Sequence, residues 1–254
     1  MRDPDDGRAV LVTGGSRGIG AAVARAFAAG GDRVAVHYGN SRALAEGVAG
    51  SLSGTGHVVV GADLTDPDGV REMVDLAAER LGGIDVLVNN AGVFEAHPIT
   101  DTTYDEWQRA WQHTLGVNLV GAANVTWCAV QHMVRGRGGK IVNIASRGAF
   151  RGEPSHPAYG ASKAGIIAFG QSLARALGAH DIAVTAVAPG FVDTDMAAHQ
   201  LVGAGGARRR AESPLGRIAT AEEVAAAVVF LASSEATMTS GSVLDVNGAS
   251  YLRM

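Results

Sequence analysis

A single cysteine, Cys128, stands among the 254 residues. It excludes an intrachain disulfide and a Cys-rich zinc site, and within its apolar helical run it reads as a small buried hydrophobe. The eight histidines form no HExxH and no close His/Cys cluster, so no metal is expected. Charged residues are scarce at 18%, the formal net charge is −4, and no half or tail is basic, which argues against nucleic acid as the main partner. No uninterrupted apolar run approaches the roughly 20 residues that a bilayer requires. Met1 to Arg8 is polar and acidic, without an apolar signal segment. The expectation is a soluble, cytoplasmic protein.

What is abundant is apolar material in short runs. Hydrophobic residues make up 47% of the chain, enough for a full core, and the length suits one large α/β domain over residues 1–254. Ala9 to Thr13 is a continuous apolar run of the kind that marks a strand buried on both faces. Further strands are expected at Arg33 to His37, His57 to Gly61, Val86 to Asn89, Lys140 to Ile144, Val184 to Ala188 and Ser242 to Val246. Helical patterns fall between them: Ala21 to Ala29, Ser41 to Ala49, Asp66 to Leu81, long material over Asp105 to Arg135, a helix from Tyr159, and Ala221 to Ala232. This alternation demands a parallel, doubly wound sheet of about seven strands, with helices on both faces. Such sheets bind ligands outside the carboxyl ends of their strands.

Two stretches carry chemistry. The glycines Gly14, Gly18 and Gly20, with Ser16, Arg17 and Ile19 between them, join the first strand to its helix. Glycine there lets the backbone turn sharply and approach a pyrophosphate that the helix N-terminus attracts, although tight helix–strand packing also selects glycine. The acid that binds a ribose 2′-hydroxyl in NAD enzymes belongs about 20 residues further on. The region instead reads His37-Tyr38-Gly39-Asn40-Ser41-Arg42, so Arg17 and Arg42, with Asn40 and Ser41, favour a 2′-phosphate and NADPH over NADH. The second stretch is Tyr159-Gly-Ala-Ser-Lys163. Residues i and i+4 share a helix face, so the phenol and ammonium point the same way. A cation one turn away is expected to pull the phenol down from its ordinary pKa of about 10. The same pair also arises by chance.

Taken in order, these motifs resemble the short-chain dehydrogenase/reductase family from Val10 to Gly248. Thr13 to Gly20 resembles its cofactor turn. Asp63, in Ala62-Asp63-Leu64-Thr65, resembles the residue that contacts adenine, and Asn89-Asn90-Ala91-Gly92 the segment that supports sheet and cofactor. Asn118 resembles the active-site asparagine that holds a water near the lysine. Ser146, ending the fifth strand, resembles the catalytic serine. Pro189-Gly190, with Val192 and Thr194 beyond, resembles the loop touching the nicotinamide. The resemblance implies that Ser146 polarises a carbonyl, that Tyr159 handles the proton, and that Lys163 binds the nicotinamide ribose and lowers the Tyr159 pKa. Read alone, Asn118 is equally a helix kink, Ser146 a strand-end hydroxyl and Asp63 a turn cap.

Within the family, Arg17, the acid-free end of the second strand, Pro189 to Met196 and Pro214-Leu215-Gly216-Arg217 are similar to 3-oxoacyl-(acyl-carrier-protein) reductases, while other ketone reductases share these features. The implied reaction is NADPH-dependent reduction of a ketone, with a 3-oxoacyl thioester as the favoured substrate. The alternatives are a dehydrogenase or ketoreductase for a sugar, a cyclic or another secondary alcohol, and, from another class, a non-catalytic nucleotide-binding regulator. The Gly-rich segment Ala197 to Arg210 has no clear pattern and reads as a flexible lid or an inert surface loop, within a substrate lid and loop at 197–217. Arg208-Arg209-Arg210 suits an anionic substrate or carrier, or a solvated face. His97, His113 and His156 are candidates for lining a pocket or for structural work. By the same resemblance, the long helices and the last strand imply a homotetramer.

Overall fold

A computed structural model describes residues 7–194 and 203–253. Seven strands, β1 (Ala9–Val12), β2 (Arg33–Tyr38), β3 (Val58–Gly61), β4 (Val86–Asn89), β5 (Gly139–Ile144), β6 (Ile182–Pro189) and β7 (Val243–Val246), form one sheet of order β3-β2-β1-β4-β5-β6-β7. Every pairing is parallel, as the alternation predicts. The α-helices among the described residues are α1 (Gly18–Ala29), α2 (Arg42–Gly50), α3 (Pro67–Leu81), α4 (Tyr104–Leu115), α5 (Ala122–Arg135), α6 (Gly148–Arg151), α7 (Pro157–Leu177), α8 (Gly203–Ala211) and α9 (Ala221–Leu231).

Successive strand residues point to opposite faces, so each strand feeds two cores. Val10 and Val12 of β1, with Val34, Val36, Val86 and Val88, pack on one face beneath Val23 and Phe27 of α1 and Val224 and Val228 of α9. Leu11, Leu87, Ile141 and Val184 point the other way, against Val70, Val74 and Leu81 of α3 and Val125, Ala129 and Met133 of α5. Cys128 lies in this second core, 7% exposed, as a small hydrophobe. The near-continuous apolar strands follow from this two-sided burial.

Helix boundaries follow the local signals. Thr103 and Thr220 each form a capping box with a glutamate three residues on. Asp66 caps α3 ahead of Pro67, and Gly82 ends that helix in the left-handed conformation. The long helical material expected over 105 to 135 is present, with Gly116–Gly121 forming a π-helical turn between α4 and α5 that carries Asn118. One expectation needs correction. The segment read as patternless is helical over Gly203–Ala211, despite glycines that disfavour helix, and its three arginines sit in the last turn, where the helix dipole welcomes cations. The rest of that segment, 197–202, lies outside the described residues.

Strand order reverses between β1 and β4: the chain runs outward through β2 and β3, then returns to pair β4 beside β1. The helices leaving the carboxyl ends of these two strands part to opposite faces and leave a crevice.

Candidate active site

A cleft of about 430 Å³ runs along the carboxyl edge of the sheet. Its walls come from six strand ends: Gly14 and Ser16 to Ile19 after β1, Asn40 and Ser41 after β2, Asp63 and Leu64 after β3, Asn90 to Gly92 after β4, Ser146 after β5, and Pro189, Gly190, Val192 and Thr194 after β6. Tyr159 and Lys163 of α7 close one end. Wall residues from Gly14 to Thr194 thus meet because each follows a parallel strand.

The glycine turn is held from beneath. Gly14 and Gly18 have φ of +62° and +53°, conformations that side chains rarely adopt. The Asn90 amide donates to the Thr13 and Gly14 carbonyls at 2.9 and 3.0 Å, and the Thr13 hydroxyl accepts from the Asn90 and Ala91 amides at 2.9 and 3.0 Å. The first turn of α1 carries no acid and no side-chain cap, so its N–H groups face the cleft unspent. Thr194 sits over Gly18: a β-carbon there would lie 3.3 Å from the threonine methyl. This cradle suits a pyrophosphate. Gly20 belongs to it differently, pressed against Gly14 and Asn90 and away from the cleft surface.

The sequence marks His37 only as part of an acid-free stretch, yet it is the hub of the turn. It is 1% exposed; Nδ1 accepts from the Gly14 amide at 3.0 Å, and Nε2 lies 3.1 Å from the Ala62 carbonyl. Those partners demand a proton on Nε2 and none on Nδ1. Burial pushes its pKa down to about 4, against the smaller pull of the Ala62 carbonyl, so the ring is neutral. Its neighbour Tyr38 turns from the cleft and lies over Gly61. At this end Arg17, Asn40 and Ser41 line the wall, whereas Arg42 is drawn to Glu46 at 2.8 Å. Asp63 lines the cleft while one carboxylate oxygen accepts from the Thr65 amide and hydroxyl, which holds its pKa below the usual range. It therefore caps a turn and faces the cleft at once.

At the other end, Ser146, Tyr159 and Lys163 converge. The Ser146 oxygen accepts from the Gly148 amide at 3.0 Å. The Tyr159 phenol opens on the cleft but is otherwise enclosed, with Phe94 edge-on at 4.7 Å. Burial raises its pKa to about 12; hydrogen bonding to Ser146 pulls it back, and the charge of Glu153 pushes it up. The expected lowering by Lys163 is absent for a physical reason. The lysine is itself buried, 5% exposed, and its ammonium donates to the Ile144 carbonyl at 2.8 Å, 5.6 Å from the centre of the Tyr159 ring. Burial lowers its pKa to about 8. Shared helix face is preserved; the charge effect is overridden by desolvation.

Asn118 does not line the cleft. From the π-helical turn its side chain accepts from the Val93 amide at 2.8 Å and donates to the Val93 carbonyl and the Ser162 hydroxyl at 3.0 and 3.1 Å. It stitches the segment after β4 to α7, one residue from Lys163. Of His97, His113 and His156, His113 lines the cleft and pairs with Glu95 at 2.7 Å. His97 is buried and accepts from the Ala158 amide in the first turn of α7, while His156 stacks on Phe94 at 3.7 Å. The Phe94–His156 stack thereby buttresses Tyr159.

Three comparisons describe what the chain resembles. A family model described as enoyl-(acyl carrier protein) reductase matches residues 14–249. The 3-oxoacyl-(acyl-carrier-protein) reductase FabG of Chlamydia muridarum is 37% identical over 252 residues, 95% of this chain and 96% of the relative. The L-rhamnose 1-dehydrogenase (NAD(P)(+)) of a Sphingomonas species is 37% identical over 255 residues, 98% of each. A solved short chain dehydrogenase from Burkholderia cenocepacia, in complex with NADP, superposes with a TM-score of 0.87 at 38% identity, over 98% of this chain and 99% of that one.

Proposed function

The chain belongs to the short-chain dehydrogenase/reductase family of oxidoreductases, and we propose that it reduces a ketone to a secondary alcohol with NADPH, with a 3-oxoacyl thioester as the first substrate class to test. One observation carries the reading. Two hydroxyl donors, Ser146 and Tyr159, meet beside Lys163 at one end of a cleft whose other end is a glycine cradle. Two donors converging on one point suit a carbonyl oxygen that gains charge, rather than a carbon–carbon double bond. When bound, the nicotinamide cofactor supplies the hydride. Ser146 then donates a hydrogen bond to the substrate oxygen, and Tyr159, protonated at neutral pH, delivers its proton there. Lys163 is placed to bind the cofactor ribose, and Asn118 ties the Val93 backbone to the hydroxyl of Ser162, the residue before that lysine.

NADPH is favoured because this end of the cleft offers Arg17 after β1 and Asn40 and Ser41 after β2, with no carboxylate after β2. A second reading, a hydroxylated or cyclic alcohol as substrate, has support from the rhamnose dehydrogenase likeness and from a carboxylate in the cleft, Glu153. The deciding experiment is a panel of acetoacetyl thioesters, simple ketones and sugars, run with NADPH and NADH in parallel and followed by loss of nicotinamide absorbance. We expect turnover of ketones with NADPH preferred about tenfold or more; turnover of none, or an equal preference for NADH, overturns the reading.

The assembly is proposed to be a homotetramer. Val120, Trp127 and Val134 expose apolar surface along the π-helical turn and α5, and Met238, Leu244 and Leu252 do so near β7. Sedimentation giving only monomer at micromolar concentration would refute it. A cytoplasmic setting is proposed alongside; no helix of the described residues is long and apolar enough to cross a membrane.

A further inference from the structure

The N–H groups that open an α-helix have no partner inside it, and α7, which carries Tyr159 and Lys163, settles its own in an uncommon way. The His156 amide donates back to the Glu153 carbonyl at 2.9 Å, and the Tyr159 amide to the His156 carbonyl at 3.0 Å. Pro157, the first helical residue, has no N–H to satisfy. The first turn holds no acid, and the His156 side chain, at the N-cap position, makes no capping bond. That leaves the amide of Ala158, the fully buried residue next to Tyr159. Its acceptor lies 61 positions earlier in the chain: Nε2 of His97, at 3.1 Å.

His97 is held on every side for this task. It is 1% exposed, its own amide donates to the Ser155 carbonyl at 2.8 Å, and Nδ1 lies 2.8 Å from the Glu95 carbonyl. Its ring meets Trp107 of α4 edge-on, with centres 5.6 Å apart. A carbonyl only accepts and an amide N–H only donates, so Nδ1 carries the proton and Nε2 presents its lone pair. Capping is ordinarily the work of a Ser, Thr, Asp or Asn in the helix's own sequence. Here an imidazole from the segment after β4 does it.

We propose that His97 is a positioning residue for Tyr159: by capping α7 through Ala158, it fixes the first turn of that helix and holds the phenol against Ser146. The proposal rests on the ketone–alcohol chemistry assigned above to Ser146 and Tyr159. Other contacts of the same segment bear on the same point. Phe94, three residues before His97, packs edge-on against the Tyr159 ring and face to face on His156. Asn118 accepts from the Val93 amide and donates to the Ser162 hydroxyl, which ties the start of this segment to the next turn of α7. Lys163 has its own anchor at the Ile144 carbonyl, so the cap acts on the Tyr159 end of the pair. Without it a buried N–H is left unpaired, and the first turn must shift to find a partner. A displaced proton donor costs rate far more than it costs binding.

The test compares His97→Gln with His97→Asn in the full-length protein, with NADPH and the ketone that the wild type turns over best. Glutamine can place its amide oxygen where Nε2 stands and keeps the cap. Asparagine reaches only the Nδ1 position, so it keeps the bond to the Glu95 carbonyl and loses the cap. His97→Asn is expected to lower kcat by about 10- to 100-fold at unchanged NADPH affinity, and His97→Gln to stay within about threefold of the wild type. His97→Phe keeps a ring against Trp107 without either nitrogen; it should follow asparagine and carries the test if that variant does not fold. Fluorescence of bound NADPH reports the folding of each. The decisive readout is the asparagine substitution in a Tyr159→Phe background. With no phenol to place, losing the cap should cost less than about threefold more. An equal loss in both backgrounds overturns the proposal, because His97 then supports the fold and not the phenol. So does wild-type kcat in the asparagine and phenylalanine variants, or a glutamine variant no better than asparagine. Each of these leaves ketone reduction standing, whereas a wild type that turns over none of the ketones overturns both.

Discussion

Replacing Tyr159 by Phe is expected to lower kcat by roughly 10³-fold while NADPH still binds. The substitution keeps the aromatic ring, its edge-on contact with Phe94 and its place near Lys163, and removes only the hydroxyl. A fall confined to kcat marks an interaction made in the transition state; a rise confined to KM marks mere binding. The phenol pKa of about 12 keeps the proton in place at neutral pH, the state that reduction needs. The difficulty lies in the phenolate left behind, which burial and Glu153 both destabilise. Lys163 is the cation within reach, and its pKa of about 8 sets the pH response. Below that value the ammonium is charged and supports the developing phenolate. As pH rises through it the charge is lost, so the rate of reduction should fall in step. Wild-type turnover in the phenylalanine variant, or a pH profile flat to well above that value, would contradict this division of labour.

The framework of this site was legible because it depends on local order. Each wall segment follows a buried apolar run, and a parallel sheet carries every such run to the same edge, so strand positions sufficed to gather Gly14, Asn90, Ser146 and Pro189. The capping boxes at Thr103 and Thr220 likewise lie within four residues of sequence. What stayed hidden depends on long-range packing. His37 becomes structural only because Gly14 and Ala62, on two other strand ends, reach its two nitrogens. Arg147 is 3% exposed because Glu212 and Ser250, distant in sequence, converge on it, and Phe191 lies under its guanidinium at 4.8 Å. The helix Gly203–Ala211 opposes its own glycine content, and its Arg209 stacks on the same Phe191 ring at 4.8 Å.

Spacing was a sound guide to direction and a poor one to energy. The i, i+4 relation of Tyr159 and Lys163 places both on one face of α7, as expected. It carries no information about what surrounds them. Desolvation moves the phenol up and the ammonium down, and the lysine turns to the Ile144 carbonyl, a partner contributed by β5. Asn118 is parallel: its motif was visible, but the π-helical turn that aims it at Val93 and Ser162 was not.

The cradle end of the cleft is expected to be the least tolerant of added atoms, and Gly20→Ala tests this with a single methyl. A β-carbon at this position would fall 2.2 Å from the Gly14 carbonyl oxygen and 2.5 Å from the Asn90 amide nitrogen. Neither neighbour can step aside freely. The carbonyl belongs to a residue already held at φ +62°, and the amide is bonded to the Thr13 and Gly14 carbonyls. The turn must therefore shift by a sizeable fraction of an ångström, and the α1 N-terminus moves with it. Overpacking of this kind costs about 1–3 kcal/mol of stability, and the distorted cradle should weaken NADPH binding by roughly 100-fold. Gly47→Ala supplies the contrast, since its added methyl meets nothing within 4 Å on the exposed side of α2. There the gain in helix propensity should raise stability by about 1 kcal/mol. Denaturant midpoints and NADPH titrations of the two variants should move in opposite directions for stability, and only the first should lose the cofactor. Equal NADPH affinity in Gly20→Ala and the wild type would mean that the cradle flexes, and that close packing of the turn is not what shapes the cofactor site.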